Sequence, residues 1–220
     1  MTGRHYKIDG ERYPSVTTIL TILEKSGLAA WRGHVGNAEA DRISKEATDY
    51  GTALHALVEQ VNLGNRGPFG DDDDRLIAPY IRWFDEHVSF VIAAERLCIS
   101  RRHKYAGTAD GIVMLNGDTA PTVIDFKSSK TDLAQREWQL QLAAYALALE
   151  EEGIECQRRI IIRIPKSTPD VLHVLEMSTD DLILDQRAFL AVLRIFQWHA
   201  SQGPVRKPLG PRIRFNGGAR

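Results

Sequence analysis

Residues 105–128 read YAGTADGIVMLNGDTAPTVIDFKS, and the fold follows from how this stretch is read. Two runs rich in strand-forming residues, Lys104 to Leu115 and Thr122 to Ser128, lie on either side of the turn signal Asn116-Gly117. A third run, Phe90 to Arg101, precedes them, so the centre of the chain is expected to be a β-meander punctuated by Gly107 and by Asn116-Gly117. Side chains alternate along a strand. Asp125 and Lys127 therefore project from one face, while Ile124 and Phe126 project from the other into apolar packing. Asp110 is close enough in sequence for strand pairing to bring it beside Asp125. Two adjacent carboxylates repel unless a cation lies between them. Oxygen ligands without thiolates favour Mg²⁺ or Mn²⁺ over zinc, and a lysine beside such an ion can stabilise charge developing on a phosphate. The matching chemistry is phosphodiester hydrolysis. The same D-x-K triplet also describes an ordinary same-face ion pair on an exposed strand.

Upstream, HYKIDGERYP places Asp9-Gly10 between strand-like flanks, a two-residue hairpin signal. SVTTILTILEK reads as a helix ending near Gly27, followed by Trp31 and Arg32. Asn37 to Leu63 is helical in pattern, with Asn37 as a cap and a break at Gly51, where Thr52 could cap a second piece that sets His55 and Glu59 on one face. GNRGPFGDDDD reads as a solvated loop, because Asp71 to Asp74 lack the interleaved spacing of a calcium loop. RLIAPYIRWFDEHV then resumes as an amphipathic helix.

Downstream, Leu133 to Glu151 is a strong helix pattern. RRIIIRIP and VLHVLEM read as two more strands, and Asp180 to Ala200 as a last helix. Within the first of these helices Trp138, Gln141 and Tyr145 share a face opposite Leu140, Ala144 and Leu147. The mixture of elements indicates α/β. Residues 203–220 carry five basic residues and no acid among glycines and prolines, and read as a flexible basic tail.

The composition, with 220 residues, 43% hydrophobic and 26% charged, fits one globular domain. Its expected division is a helical part, 1–88, and a sheet-bearing part, 89–202. The formal charge is −1, so no bulk positive excess announces a nucleic-acid partner. Without the tail, 23 basic residues face 29 acidic ones, which concentrates positive charge at one end. Arg101, Arg102, His103 and Lys104, with Arg158, Arg159 and Arg163, form local basic clusters that either neutralise phosphates or solvate strand edges. Cys98 and Cys156 lie far apart with no CxxC spacing, which argues against a disulfide framework, a zinc ribbon or an iron-sulfur cluster and makes a reducing cytoplasm the default. No GxxxxGK[ST] segment marks a nucleotide cofactor, and no apolar run is long enough to span a membrane.

GTALHALVE, GTADGIV, VIDFKSSK and QLAAY, taken together and in this order, make the chain resemble the PD-(D/E)XK nuclease superfamily, in its RecB-like branch. YPSVTTIL also resembles the opening segment of phage and mitochondrial single-strand exonucleases of that branch. The resemblance covers roughly residues 13 to 150 and implies a restriction-endonuclease-like core, a central mixed sheet flanked by helices. It implies that His55, Asp110 and Asp125 bind one or two Mg²⁺ or Mn²⁺ ions with the backbone carbonyl of Phe126, and that Lys127 is the catalytic lysine. Gln141 and Tyr145 would support the site and contact the nucleic-acid strand. Trp138, Thr52 and Ser128 are further strand-contacting or site-supporting candidates, and Ser129 a weaker one. Glu59 would orient His55, hold a second ion through water, or sit on a solvated face. Glu95 would reach the site or point to solvent.

The function this implies is a metal-dependent deoxyribonuclease, with an exonuclease acting on single strands or DNA ends favoured. Its setting would be recombination or repair, bacterial or phage, with a recombination or single-strand-binding partner and with monomer and oligomer both compatible. The rivals are a structure-selective endonuclease on branched or flapped DNA and a non-catalytic nucleic-acid-binding protein of the same fold.

Overall fold

The computed structural model describes residues 3–23, 28–128, 136–156 and 158–202. Strands β1 (His5–Ile8) and β2 (Glu11–Pro14) form a hairpin whose turn uses Asp9 and Gly10, both at positive φ, as the Asp-Gly pair predicts. Helix α1 (Val16–Leu20) follows, and the Ser15 hydroxyl caps it by accepting from the Thr18 amide at 3.0 Å. Helices α2 (Leu28–Val35), α3 (Asn37–Asn62) and α4 (Asp71–His87) lead into the sheet strands β3 (Val88–Ser100), β4 (Tyr105–Leu115) and β5 (Thr122–Lys127). Helix α5 (Arg136–Glu150) crosses to β6 (Arg158–Arg163), and β7 (His173–Met177) and α6 (Leu182–Ser201) complete the order.

The five sheet strands run in the order β3-β4-β5-β6-β7. Every pair is antiparallel except β5 and β6, which are parallel because α5 carries the chain back to the same end. The mixed sheet is covered on both faces. On one face Ile112, Val123 and Ile161 pack with Leu142, Ala144, Leu149, Phe189 and Leu193 of α5 and α6. On the other, Val113, Ile124, Phe126 and Ile162 pack with Leu54, Val58 and Val61 of α3 and Ile77, Tyr80 and Phe84 of α4. Adjacent residues thus enter opposite cores, as the two-residue period requires. Each such side chain contributes about 1.5–3 kcal/mol by leaving water. Among the described residues no helix is long and apolar enough to cross a membrane.

Several local expectations are corrected. Helix α3 does not break at Gly51. It runs unbroken for 26 residues, and the Thr52 hydroxyl donates back to the Thr48 carbonyl at 3.0 Å instead of capping. The helix begins after Gly36, at φ 84°, so Asn37 is its first residue and not its cap. The four aspartates form the first turn of α4, where negative charge meets the positive end of the helix dipole and Asp74 accepts from the Phe69 amide at 3.0 Å. The end of the first helix near Gly27, residues 133–135 and the tail from 203 lie outside the described residues.

Gly107 lies inside β4 and does not interrupt it. Its place is a close approach, since a Cβ there would fall 2.5 Å from Tyr145 Cε1 and 3.0 Å from Val16 Cγ2. Tyr145 is 2% exposed and its ring has nowhere to move. Gly107→Ala is expected to destabilise the protein by about 1–3 kcal/mol through overpacking, read as a lowered thermal midpoint. An unchanged midpoint would show that β4 and α5 can separate without cost.

Candidate active site

The β4–β5 ladder runs through Val113↔Thr122 and Ile112↔Val123 to Gly111↔Ile124, and there it ends. The next two residues, Asp110 and Asp125, stand where the strands part. The backbone amide that the ladder leaves unpaired on β5, that of Phe126, donates to Asp110 Oδ2 at 2.6 Å. Since the N–H and C=O of one strand residue point to the same side, the Phe126 carbonyl also faces this opening. Asp110 and Asp125 are 7% and 2% exposed.

Each carboxylate has further partners. His55, on α3, reaches Asp110 Oδ1 through Nδ1 at 3.1 Å. Lys127 Nζ lies 2.5 Å from Asp125 Oδ2. Gln141 joins the pair, with Nε2 donating to Asp125 Oδ1 at 2.7 Å and to the Tyr145 hydroxyl at 2.8 Å, while its Oε1 accepts from Lys127 at 3.0 Å. One amide thereby sets the spacing between lysine and carboxylate. Despite its nearness, Lys127 is not aligned as a hydrogen-bond donor to Asp125 Oδ2, so this buried oxygen has a charge beside it and no directed bond. Burial pushes the Asp125 carboxyl up, to about 6, against the lowering effect of Lys127 and with added repulsion from Asp110. Burial pulls His55 down, but the hydrogen bond and charge of Asp110, with the charge of Asp125, outweigh it and hold the imidazole above its ordinary value.

Glu95 enters the same cluster. It is flanked by the pairs Ala94↔Gly111 and Arg96↔Ala109, hence opposite Asp110, and adopts φ 46°, a left-handed conformation costly for a non-glycine in a strand. Its carboxylate, His55 and Asp110 offer ligand atoms within 4.8 Å of one another. Burial and the charge of Asp110 raise its pKa, and Glu59, one turn beyond His55, adds to that repulsion. An orphaned buried oxygen on Asp125, a three-residue cluster of nitrogen and oxygen donors, and a carbonyl facing the same gap fit a hard divalent cation.

The other candidates fall in different places. Ser128 is half-buried at the end of β5, its hydroxyl 3.2 Å from where a Cβ on Gly51 would sit. Thr52 is exposed on α3 with its hydroxyl already donated to the helix. Trp138 is 6% exposed within the core shared by α5 and α6, which corrects its expected contact with a strand. The expectation of one substrate-facing side on α5 is likewise replaced, since Gln141, Leu142, Ala143, Ala144, Tyr145 and Ala146 are all buried. Ser129 lies outside the described residues. Much of the basic charge meets acids: Arg101 pairs with Asp9 and Lys104 with Glu11, each at 2.6 Å, and Arg159 pairs with Asp185 at 2.7 Å. Arg158 lies 3.3 Å from Asp118, and Arg32 2.5 Å from Asp41. Half-buried Trp31 lies on α2 with Arg32.

Two supporting residues were not read from the sequence. Asn62, 6% exposed at the end of α3, donates from Nδ2 to the Asp110 carbonyl at 3.4 Å. Tyr80, fully buried on α4, donates its hydroxyl to Asn62 Oδ1 at 2.6 Å and sets its ring edge-on to Phe126, with centroids 4.8 Å apart. The available signal was helical spacing, because Asn62 lies seven residues after His55 on the same face.

The model of the PD-(D/E)XK nuclease superfamily matches residues 18–202, and the chain belongs to that superfamily. Among curated proteins it is 29% identical over 147 residues to an acetyl-coenzyme A synthetase of Burkholderia thailandensis. That match covers 67% of this chain and 19% of the relative, so the chain spans about a fifth of that protein's length. Among solved structures it is similar to the protein SSO0001, with 16% identity, a TM-score of 0.40 and coverage of 84% of this chain and 78% of that one. It is also similar to the alkaline exonuclease LHK-Exo of Laribacter hongkongensis, with 14% identity, a TM-score of 0.38 and coverage of 86% and 91%.

Two outcomes follow from the site's energetics. The Asp125 carboxyl is raised on folding, so its contribution to stability is full below its unfolded value near 4 and is lost as pH rises through about 6. Above that, the buried charge is a net cost. In chelator at pH 8, Asp125→Asn is expected to raise the thermal midpoint, by about 2 kcal/mol or a few degrees. A lowered midpoint would mean that Lys127 fully compensates the charge. Tyr80→Phe removes one hydroxyl and leaves Asn62 Oδ1 buried without its donor, which is expected to cost about 1–3 kcal/mol in denaturant titration. A loss below about 0.3 kcal/mol would exclude this bond as a structural support.

Proposed function

We propose that this chain is a divalent-metal-dependent DNA nuclease, an exonuclease that hydrolyses phosphodiester bonds from DNA ends. The observation that carries this reading is Asp125 Oδ2, a buried carboxylate oxygen without a directed hydrogen bond, set beside Asp110 and next to a lysine. His55, Glu95, Asp110, Asp125 and the Phe126 carbonyl would hold the ion. When bound, it supplies Lewis acidity, which lowers the pKa of water and neutralises charge on the scissile phosphate.

The remaining duties fall to the chain's own residues. Lys127, 21% exposed by side chain, holds its ammonium beside the Asp125 carboxylate, where it can place a cation against charge developing on a phosphate oxygen. Gln141 fixes that ammonium relative to Asp125, and the Tyr145 hydroxyl fixes Gln141. Asp110 ties the two strands together through the Phe126 amide, and His55 holds the other oxygen of Asp110, which limits the rotation of that carboxylate. No covalent enzyme intermediate is required.

The preference for DNA ends is supported by the motif order shared with the RecB-like branch. The reading places residues 1–202 in one nuclease domain, with 203–220 as a basic tail that would add charge-based contact with the strand. Two free, buried cysteines, Cys98 and Cys156, suit a reducing cytoplasm, in a bacterial or phage setting of recombination or repair.

The test incubates wild type and Lys127→Ala with end-labelled linear single-stranded, linear duplex and circular single-stranded DNA, in Mg²⁺, Mn²⁺ or EDTA. Loss of linear DNA alone, dependent on metal and slowed about 10²-fold or more by Lys127→Ala, is the expected result. Cut circles would replace the exonuclease with an endonuclease. Binding without cleavage in every condition would overturn the catalytic reading.

A further inference from the structure

We propose that the N-terminal hairpin carries a subsite for a phosphodiester group of the strand that crosses the active site, with the Arg4 guanidinium as its anion-binding group and the Tyr6 ring as its support. This rests on the nuclease reading of the site. Residues near a chain start are commonly loose unless tied down, and here they are tied at several points. The Arg4 carbonyl accepts from the Ser15 amide at 3.0 Å and from the Thr18 hydroxyl at 3.1 Å. Gly3 sits so close to Thr18 that a Cβ would lie 2.4 Å from its Cγ2. The backbone that carries Arg4 is therefore held against the start of α1 while its side chain stays exposed.

The side chain is also oriented. Its guanidinium carbon lies 4.9 Å from the centroid of the Tyr6 ring, and the Tyr6 hydroxyl is 3.0 Å from Thr108 Oγ1. Thr108 shares a face of β4 with Asp110, two residues on, a step of about 7 Å along a strand.

Arg4 shares with Lys7 and Arg12 of the same hairpin the lack of an ion pair among the described residues, and of these three it is the one held against an aromatic ring. Arg101 and Lys104 are held by Asp9 and Glu11, and Arg96 by Glu152. Among the described residues Arg4 makes no ion pair, only its contact with the tyrosine ring. A guanidinium stacked on an aromatic face keeps its donors in a fixed plane with their edges open, a geometry suited to phosphate oxygens and sparing of side-chain entropy on binding. The partner that fits is a single polynucleotide strand crossing the site, whose sequence Arg4 would not read.

The experiment measures binding apart from cleavage. A Lys127→Ala background in EDTA is titrated with fluorescently labelled linear oligodeoxythymidine by anisotropy at several salt concentrations, alone and with Arg4→Gln, Arg4→Lys or Arg187→Gln. Arg187, exposed on α6, serves as the charge control. Arg4→Gln is expected to weaken binding about three- to tenfold at low salt and to flatten the slope of log affinity against log salt by about 0.7, the value for one single-strand phosphate. Arg4→Lys should keep the slope, and Arg187→Gln should change neither quantity. Equal slopes and affinities for Arg4→Gln and Arg187→Gln would overturn the subsite, as would a background protein that binds no strand. Cleavage by the wild-type chain in Mg²⁺ or Mn²⁺ is scored in parallel. If it cuts and the slope is unmoved, the subsite fails alone. If it cuts nothing while Arg4→Gln still flattens the slope, the nuclease reading fails and the strand contact stands.

Discussion

Where the β4–β5 ladder stops, the Phe126 amide has no backbone acceptor across the strand and takes the Asp110 carboxylate at 2.6 Å instead. This bond lets two strands part inside a buried sheet without leaving a donor orphaned. It also fixes the carboxylate that His55 and Glu95 approach, and turns the Phe126 carbonyl into the opening. The two layers of helices serve the same point. Helix α3 brings His55 and Asn62 from one side of the sheet, and α5 brings Gln141 and Tyr145 from the other.

The site is an electrostatic compromise. Burial and the charge of the neighbouring Asp110 disfavour the ionisation of Asp125, and one lysine offsets only part of that cost, which is why the Asp125 carboxyl rises. A cation in the gap would relieve the rest. Glu95 adds a second penalty, a left-handed backbone within the β3–β4 pair. Costs of this kind gather where a protein holds chemistry, whereas Arg101 and Lys104 at the far end of the same hairpin are each paired with an acid.

The alternation in VIDFKS was enough to separate a core face from a polar one, and Ile124 and Phe126 do enter the core that α3 and α4 cover. The order of strands and helices was readable for the same reason, because periodicity is local. Local rules misread Gly51, Gly107 and the four aspartates. A glycine is a turn signal until a neighbour from elsewhere needs the space of its Cβ, as Tyr145 does at Gly107. An acidic run is a loop signal until it forms the first turn of a helix. Trp138 shared a helical face with Gln141, but it is buried in the core that α1, α5, α6 and the sheet build together, and no spacing within one helix records what lies against it.

The sequence alone determined the residue types and their faces: paired aspartates, a lysine one strand step from the second, a histidine and a glutamine on helices, and a hydrophobic period that builds a mixed α/β core. Tertiary structure decided distance and company. It set Glu95 opposite Asp110, put Asn62 and Tyr80 behind the site, matched Arg101 and Lys104 with acids from the first hairpin, and set Arg4 on the Tyr6 ring beside Thr108. The physical reason is that hydrophobic periodicity is written along the chain, whereas a carboxylate's partners and pKa depend on what long-range packing sets beside it, tens of residues away.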